Sequence, residues 1–131
     1  MTTDPNIETK VIERFVVKNK RDRYLSFIKK PKAREKFIKE LAHFSSQLNG
    51  FIKIHGSEWE VLEKAILDVG SPTECYVISE NSEIDGKYLS VEIAIRETVG
   101  HGSGTLIILG DAELVFYEGE GPSDRWITPR K

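Results

Sequence analysis

The chain has one cysteine, Cys75, in 131 residues, so it holds no internal disulfide and is expected in a reducing compartment. With only three scattered histidines, His43, His55 and His101, it also lacks the ligand spacing of a structural zinc site. No apolar run approaches the ~20 residues of a membrane-spanning helix. The start, MTTDPNIETK, lacks the basic-then-apolar layout of a secretory signal. These absences predict a cytoplasmic protein with no membrane partner. Repeats and low-complexity tracts are missing too. What remains, 39% hydrophobic and 31% charged residues, suits an ordinary globular domain, taken to run over 1–131.

A net charge of −2 conceals an uneven layout. Residues 1–50 carry 12 Lys+Arg against 6 Asp+Glu, whereas 51–131 carry 7 against 15. Between 18 and 39, ten basic residues face only Asp22 and Glu35. Such a chain can offer a basic face to an anion, offer an acidic face to a cationic partner, or fold its two halves against each other and cancel.

The basic half reads as helical. Asp4-Pro5 is a start signal, and Ile7, Val11, Ile12, Phe15 and Val16 follow at helical spacing. A second helix is expected over 20–29 with Tyr24, Phe27 and Ile28 on one side. Pro31 restarts a third, whose apolar stripe through Ala33, Phe37, Ile38, Leu41, Phe44 and Leu48 predicts helix to about Gln47. The acidic half alternates. Strands are predicted at 51–54, 74–79, 105–109 (the most apolar, hence central), 114–118 and 125–128. A helix over 57–69 opens on the capping box Ser57-Glu58-Trp59-Glu60, and a shorter one over 90–98 is capped by Ser90. The expected fold class is α+β: N-terminal helices, then a small mixed sheet of about three to five strands, part parallel and part antiparallel, with covering helices.

Three passages bear on function. In VGHGSGTLIILG, 99–110, the glycines leave a helix and enter a strand, the reverse of a phosphate-binding turn, so no helix N-terminus faces an anion. Ser103 is not centred in G-x-S-x-G, because His101 takes the place of the first glycine. The passage is read as a helix C-cap and bend; a small enzyme using the 100–104 loop is the alternative. No catalytic residue and no cofactor site are assigned.

NSEIDGKYLSVE, 81–92, overlays the calcium-loop pattern, with Asn81, Glu83, Asp85 and Glu92 as candidate ligands and Gly86 at the turn. Asparagine at the first position, a long glutamate at the third and Leu89 at the ninth weaken the match. The preferred reading is a strand-to-helix connection with an Asp-Gly turn. In KNKRDRYLSFIKKPKAREK, Lys20, Arg21, Arg23, Lys29, Lys30, Lys32 and Arg34 are candidates for contacts to an anion or nucleic acid. Tyr24 and Phe27 fall at helical spacing and are expected to pack inward rather than stack on bases.

Two blocks, RDRYLSFIKKPKAREKFIKELAHF (21–44) and CYVISENSEIDGKYLSVEIAIRETVGHGSGT (75–105), followed by VFYEGE (115–120), resemble a group of small uncharacterised bacterial proteins. That resemblance implies a bacterial origin and an intact single domain, and carries no activity or functional residue. The expected function is a non-enzymatic binding module whose partner is another protein or a second copy of itself, with nucleic-acid binding through helices 18–39 as the alternative.

Overall fold

The computed structural model describes residues 3–54, 64, 73–98, 102–121 and 124–128. Helix α1 (Pro5–Phe15) starts as the sequence predicts: the Asp4 carboxylate accepts from the amides of Asn6 and Ile7, and proline fills the first turn. Helices α2 (Arg21–Ile28) and α3 (Pro31–Glu40) follow, separated at Pro31. Helix α3 ends at Glu40, well short of Gln47, and the chain continues as 3-10 turns over Leu41–His43 and Ser45–Gln47. Two long-range contacts take the backbone groups a longer helix would need. The Tyr117 hydroxyl donates to the Leu41 carbonyl and accepts from the Phe44 amide, and Glu120 N–H donates to the Ala42 carbonyl. Gly104 packs so closely there that a Cβ would lie 2.2 Å from the Leu41 carbonyl carbon.

The strands are β1 (Ile52–Lys53), β2 (Glu74–Ser79), β3 (Lys87–Ser90), β4 (Thr105–Leu109), β5 (Leu114–Glu118) and β6 (Arg125–Ile127), with helix α4 (Val91–Thr98) between β3 and β4. They form one sheet of order β1-β6-β5-β4-β2-β3, in which every pair is antiparallel. The α+β class holds, and the expected mixed sheet of three to five strands is corrected to a six-stranded antiparallel one. The missing strand is KYLS, 87–90. Residues 81–86 do not lead from β2 into a helix; they turn it into a hairpin, and Gly86 adopts φ +69°, a left-handed value that suits glycine. Ser90 then caps α4, its hydroxyl accepting from the Ile93 amide. Because β3 reverses the chain first, α4 crosses between β3 and β4, which flank β2 and are both antiparallel to it.

Strand β4 lies inside the sheet, as its composition predicts, and is buried at all five positions because both faces are covered. On one face Tyr76, Ile78, Leu106, Ile108, Val115 and Tyr117 meet the apolar stripes of α1–α3. On the other, Cys75, Val77, Ile107, Leu109 and Phe116 share a core with Val91 and Ala94 of α4. Alternation along each strand sends successive side chains to opposite cores. No helix among the described residues is long and apolar enough to cross a membrane. The predicted helix 57–69 falls outside the described residues, apart from Lys64, which is helical.

Candidate functional site

The two charged passages meet. Arg34 of α3, from the basic set, and Asp85 of the β2–β3 connection, from the acidic set, form a bidentate pair: Nη1 lies 2.6 Å from Oδ2 and Nη2 lies 2.9 Å from Oδ1. The other side of the guanidinium holds Glu8 of α1, with Nε 3.1 Å from Oε1 and Nη2 2.7 Å from Oε2. The Arg34 side chain is 11% exposed and that of Glu8 1%. Two carboxylates around one arginine compensate the cost of burying its charge and hold its pKa above the ordinary arginine value against the opposing pull of desolvation.

The network continues along β2 and β3. The Tyr76 hydroxyl donates to Glu8 Oε2 at 2.6 Å and accepts from the Asp4 amide; burial, then the bond to Glu8, pushes its pKa upward. Tyr88 donates to Asp4, a contact that lowers the Asp4 carboxyl pKa and raises its own to about 12. Asp85 Oδ1 also accepts from the Ser79 amide. One polar seam thus fastens α1 and α3 to the β2–β3 hairpin.

Of the calcium-loop candidates, Asn81, Glu83 and Asp85 share the β2–β3 connection, while Glu92 lies beyond β3 on α4 and pairs with Arg96 at 3.0 Å. Asn81 Oδ1 accepts from the Glu83 amide within the turn, and Glu83 is exposed. Arg34, itself a cation, occupies Asp85. Among the described residues, no group of three or more His, Cys, Asp or Glu gathers as a metal site.

The basic candidates divide. Besides Arg34, Arg21 donates to the Val16 carbonyl, and Arg23 pairs with Glu40 at 3.2 Å while lying over the Tyr24 and Phe27 rings. Lys20 is half-buried, and Lys29, Lys30 and Lys32 are exposed. Beyond those candidates, Lys36 and Lys39 are exposed on α3, and with Lys32 they make a stripe at i, i+4 and i+7, away from the inward Arg34 and Phe37. Among the described residues no carboxylate lies within 4.0 Å of Lys29, Lys30, Lys32, Lys36 or Lys39. Tyr24 packs inward at 1% exposure, bonds Glu40, and has its hydroxyl pKa pushed up to about 12, mainly by burial.

Two adjoining clefts, of about 340 and 620 Å³, run past the Arg34–Asp85 pair and share Pro31, Arg34, Glu35 and Asp85. Lys39 lines the smaller and Lys29 the larger. In the glycine passage, Gly104 N–H donates to Glu80 Oε1 at 2.7 Å and Ser103 is half-buried; Gly100 and His101 fall outside the described residues.

Sequence reasoning missed Glu8, Tyr76, Lys36 and Lys39. Glu8 had a signal: it stands four residues before Ile12 and seven before Phe15, one and two helical turns, a charge at inward spacing that demands a buried partner. Comparison with protein-family models, curated proteins and solved structures finds no match.

Proposed function

We propose that the protein is a non-enzymatic binding module, of the bacterial group its sequence resembles, whose lysine-rich α3 face docks an acidic surface of a partner protein. The observation that carries this reading is the exposed set Lys29, Lys30, Lys32, Lys36 and Lys39, which has no carboxylate within 4.0 Å among the described residues. Clustered cations without an ion-pair partner among the described residues set up a local field that speeds and orients encounter with an anionic surface. Two features favour a protein over nucleic acid. Tyr24 is buried, which withholds its ring from stacking on bases. The excess of acidic residues over 51–131 opposes a long polyanion extending beyond the face.

Polyglutamate serves as a probe, titrated against the full chain at low and moderate salt. Binding is expected to weaken with salt, and to fall by about tenfold or more in the triple variant Lys32→Ala, Lys36→Ala, Lys39→Ala, since each lost surface contact contributes up to about 1 kcal/mol. Equal affinity in the triple variant would contradict the assignment of the face. Tighter binding of duplex DNA, with the steep salt dependence of phosphate contacts, would replace the protein reading by the nucleic-acid one.

A further inference from the structure

Two dipeptides in the chain share a latent chemistry, and the fold treats them oppositely. When asparagine or aspartate precedes glycine, no side chain shields the following amide nitrogen, which can then attack the side-chain carbonyl carbon. Asn49-Gly50 and Asp85-Gly86 are the only such pairs in the sequence. At Asp85-Gly86 both partners are engaged. Arg34 holds the two carboxylate oxygens at 2.6 and 2.9 Å, and the Ser79 amide donates to Oδ1 at 3.0 Å. The Gly86 amide donates to the Val77 carbonyl at 2.8 Å. At Asn49-Gly50 both residues are exposed. Gly50 takes a left-handed φ of +80°, and no atom lies within 4 Å of where a Cβ would stand, so nothing crowds the bend. Among the described residues, neither the Asn49 carboxamide nor the Gly50 amide takes part in a hydrogen bond.

We propose that Asn49 is a site of spontaneous covalent modification, where the folded chain deamidates through a cyclic imide to isoaspartate and aspartate, while Asp85 is protected. The Gly50 nitrogen gives its proton to solvent base and bonds to Asn49 Cγ. The Cγ–Nδ2 bond breaks, and ammonia leaves with a proton from solvent. Water then opens the ring. Breaking the bond from the Gly50 nitrogen to Cγ yields aspartate; breaking its bond to the main-chain carbonyl carbon yields isoaspartate. Overall one water is consumed and one ammonia released, with no oxidant or reductant. Either product adds a negative charge to the basic half of the chain. Isoaspartate also lengthens the backbone by one methylene between two points that α1 holds. These are the Asn49 amide, which donates to the Phe15 carbonyl at 2.7 Å, and the Phe51 ring, edge-on to Phe15 at 5.6 Å.

The test incubates the full chain at mildly alkaline pH, folded and in guanidinium chloride. The tryptic peptide 40–53 is followed for the mass gain of NH2 replaced by OH, and isoaspartate by enzymatic methyl transfer. Asn49 in the folded chain is expected to react within about threefold of its unfolded rate, since no local opening has to precede attack. Isoaspartate at Asp85 is expected to form at least about tenfold more slowly in the folded chain than in the unfolded one, because there the reaction waits for opening. Asn49→Gln, whose longer side chain closes the ring poorly, is expected to abolish both signals in peptide 40–53. An Asn49 that stays intact in the folded chain while reacting in guanidinium chloride would overturn the proposal. So would an Asp85 that reacts equally fast in both states, or deamidation at Asn81 ahead of Asn49.

Discussion

Arg34 shows how a single residue can be legible in sequence and still be misassigned. It sits in a basic run and reads as an anion contact, yet it also falls at inward spacing with Phe37, Ile38 and Leu41, and the fold uses that second property. Its buried position between Glu8 and Asp85 makes the outcome of truncation predictable. Arg34→Ala leaves Glu8 buried without its cation and is expected to cost about 3–5 kcal/mol in urea denaturation. Arg34→Met combined with Glu8→Gln should recover part of that loss, because the uncompensated charge is then gone. A double variant as unstable as Arg34→Ala would show that packing, not charge burial, sets the cost.

Asp4 gives the matching prediction for pH. Its carboxylate accepts from Tyr88 and from two helix amides, and its folded pKa lies below the ordinary carboxylate value. The folded state therefore binds fewer protons than the unfolded state in that range. The associated stability is present above the ordinary value and is lost as pH falls through the depressed one. Because the residue is only half-buried and solvent screens its charge, the effect is small. The stability gap between the wild type and Asp4→Asn is expected to narrow on acidification from pH 5 to pH 3; a gap that stays constant would show that the charge plays no part.

At the scale of elements, most of the fold was legible because local patterns agreed with tertiary demand. The start of α1 at Asp4-Pro5, the Ser90 cap of α4, and the β4–β5 turn at Gly110-Asp111 all appear where their residues indicate. Two features were not legible, each for a physical reason. Strand β3 is four residues long and lies between a turn signal and a helix cap, so it has no periodicity of its own. The end of α3 is set from 76 residues away, by the Tyr117 hydroxyl bonded to Leu41 and Phe44, while the apolar stripe continues unbroken. Tyr117→Phe leaves the Phe44 amide without its buried partner and is expected to cost about 1–3 kcal/mol. Equal midpoints for Tyr117→Phe and the wild type in thermal denaturation would show that the turn holds without the tyrosine. The candidate site was legible only in halves: both charged passages stood out, but their meeting depends on α3 lying against the β2–β3 hairpin.

Across the whole molecule, the two oppositely charged halves neutralise each other in part. Arg34–Asp85 and Lys10–Asp111 join the basic half to the acidic one, and His43 Nε2 lies 3.1 Å from Glu120 Oε2. The lysines that line α3 and the α2–α3 junction have no such contact among the described residues. The molecule thus buries the Arg34–Asp85 pair between its layers and leaves a basic strip on the outside. Surface charge of this kind contributes little to stability, and the proposed role for the strip is encounter with an acidic partner. The most direct measurement is a heteronuclear NMR titration of the full chain with polyglutamate at low salt. Shifts concentrated on residues 29–39 and abolished by added salt are the predicted result; shifts centred on α4, or none at all, would contradict the account.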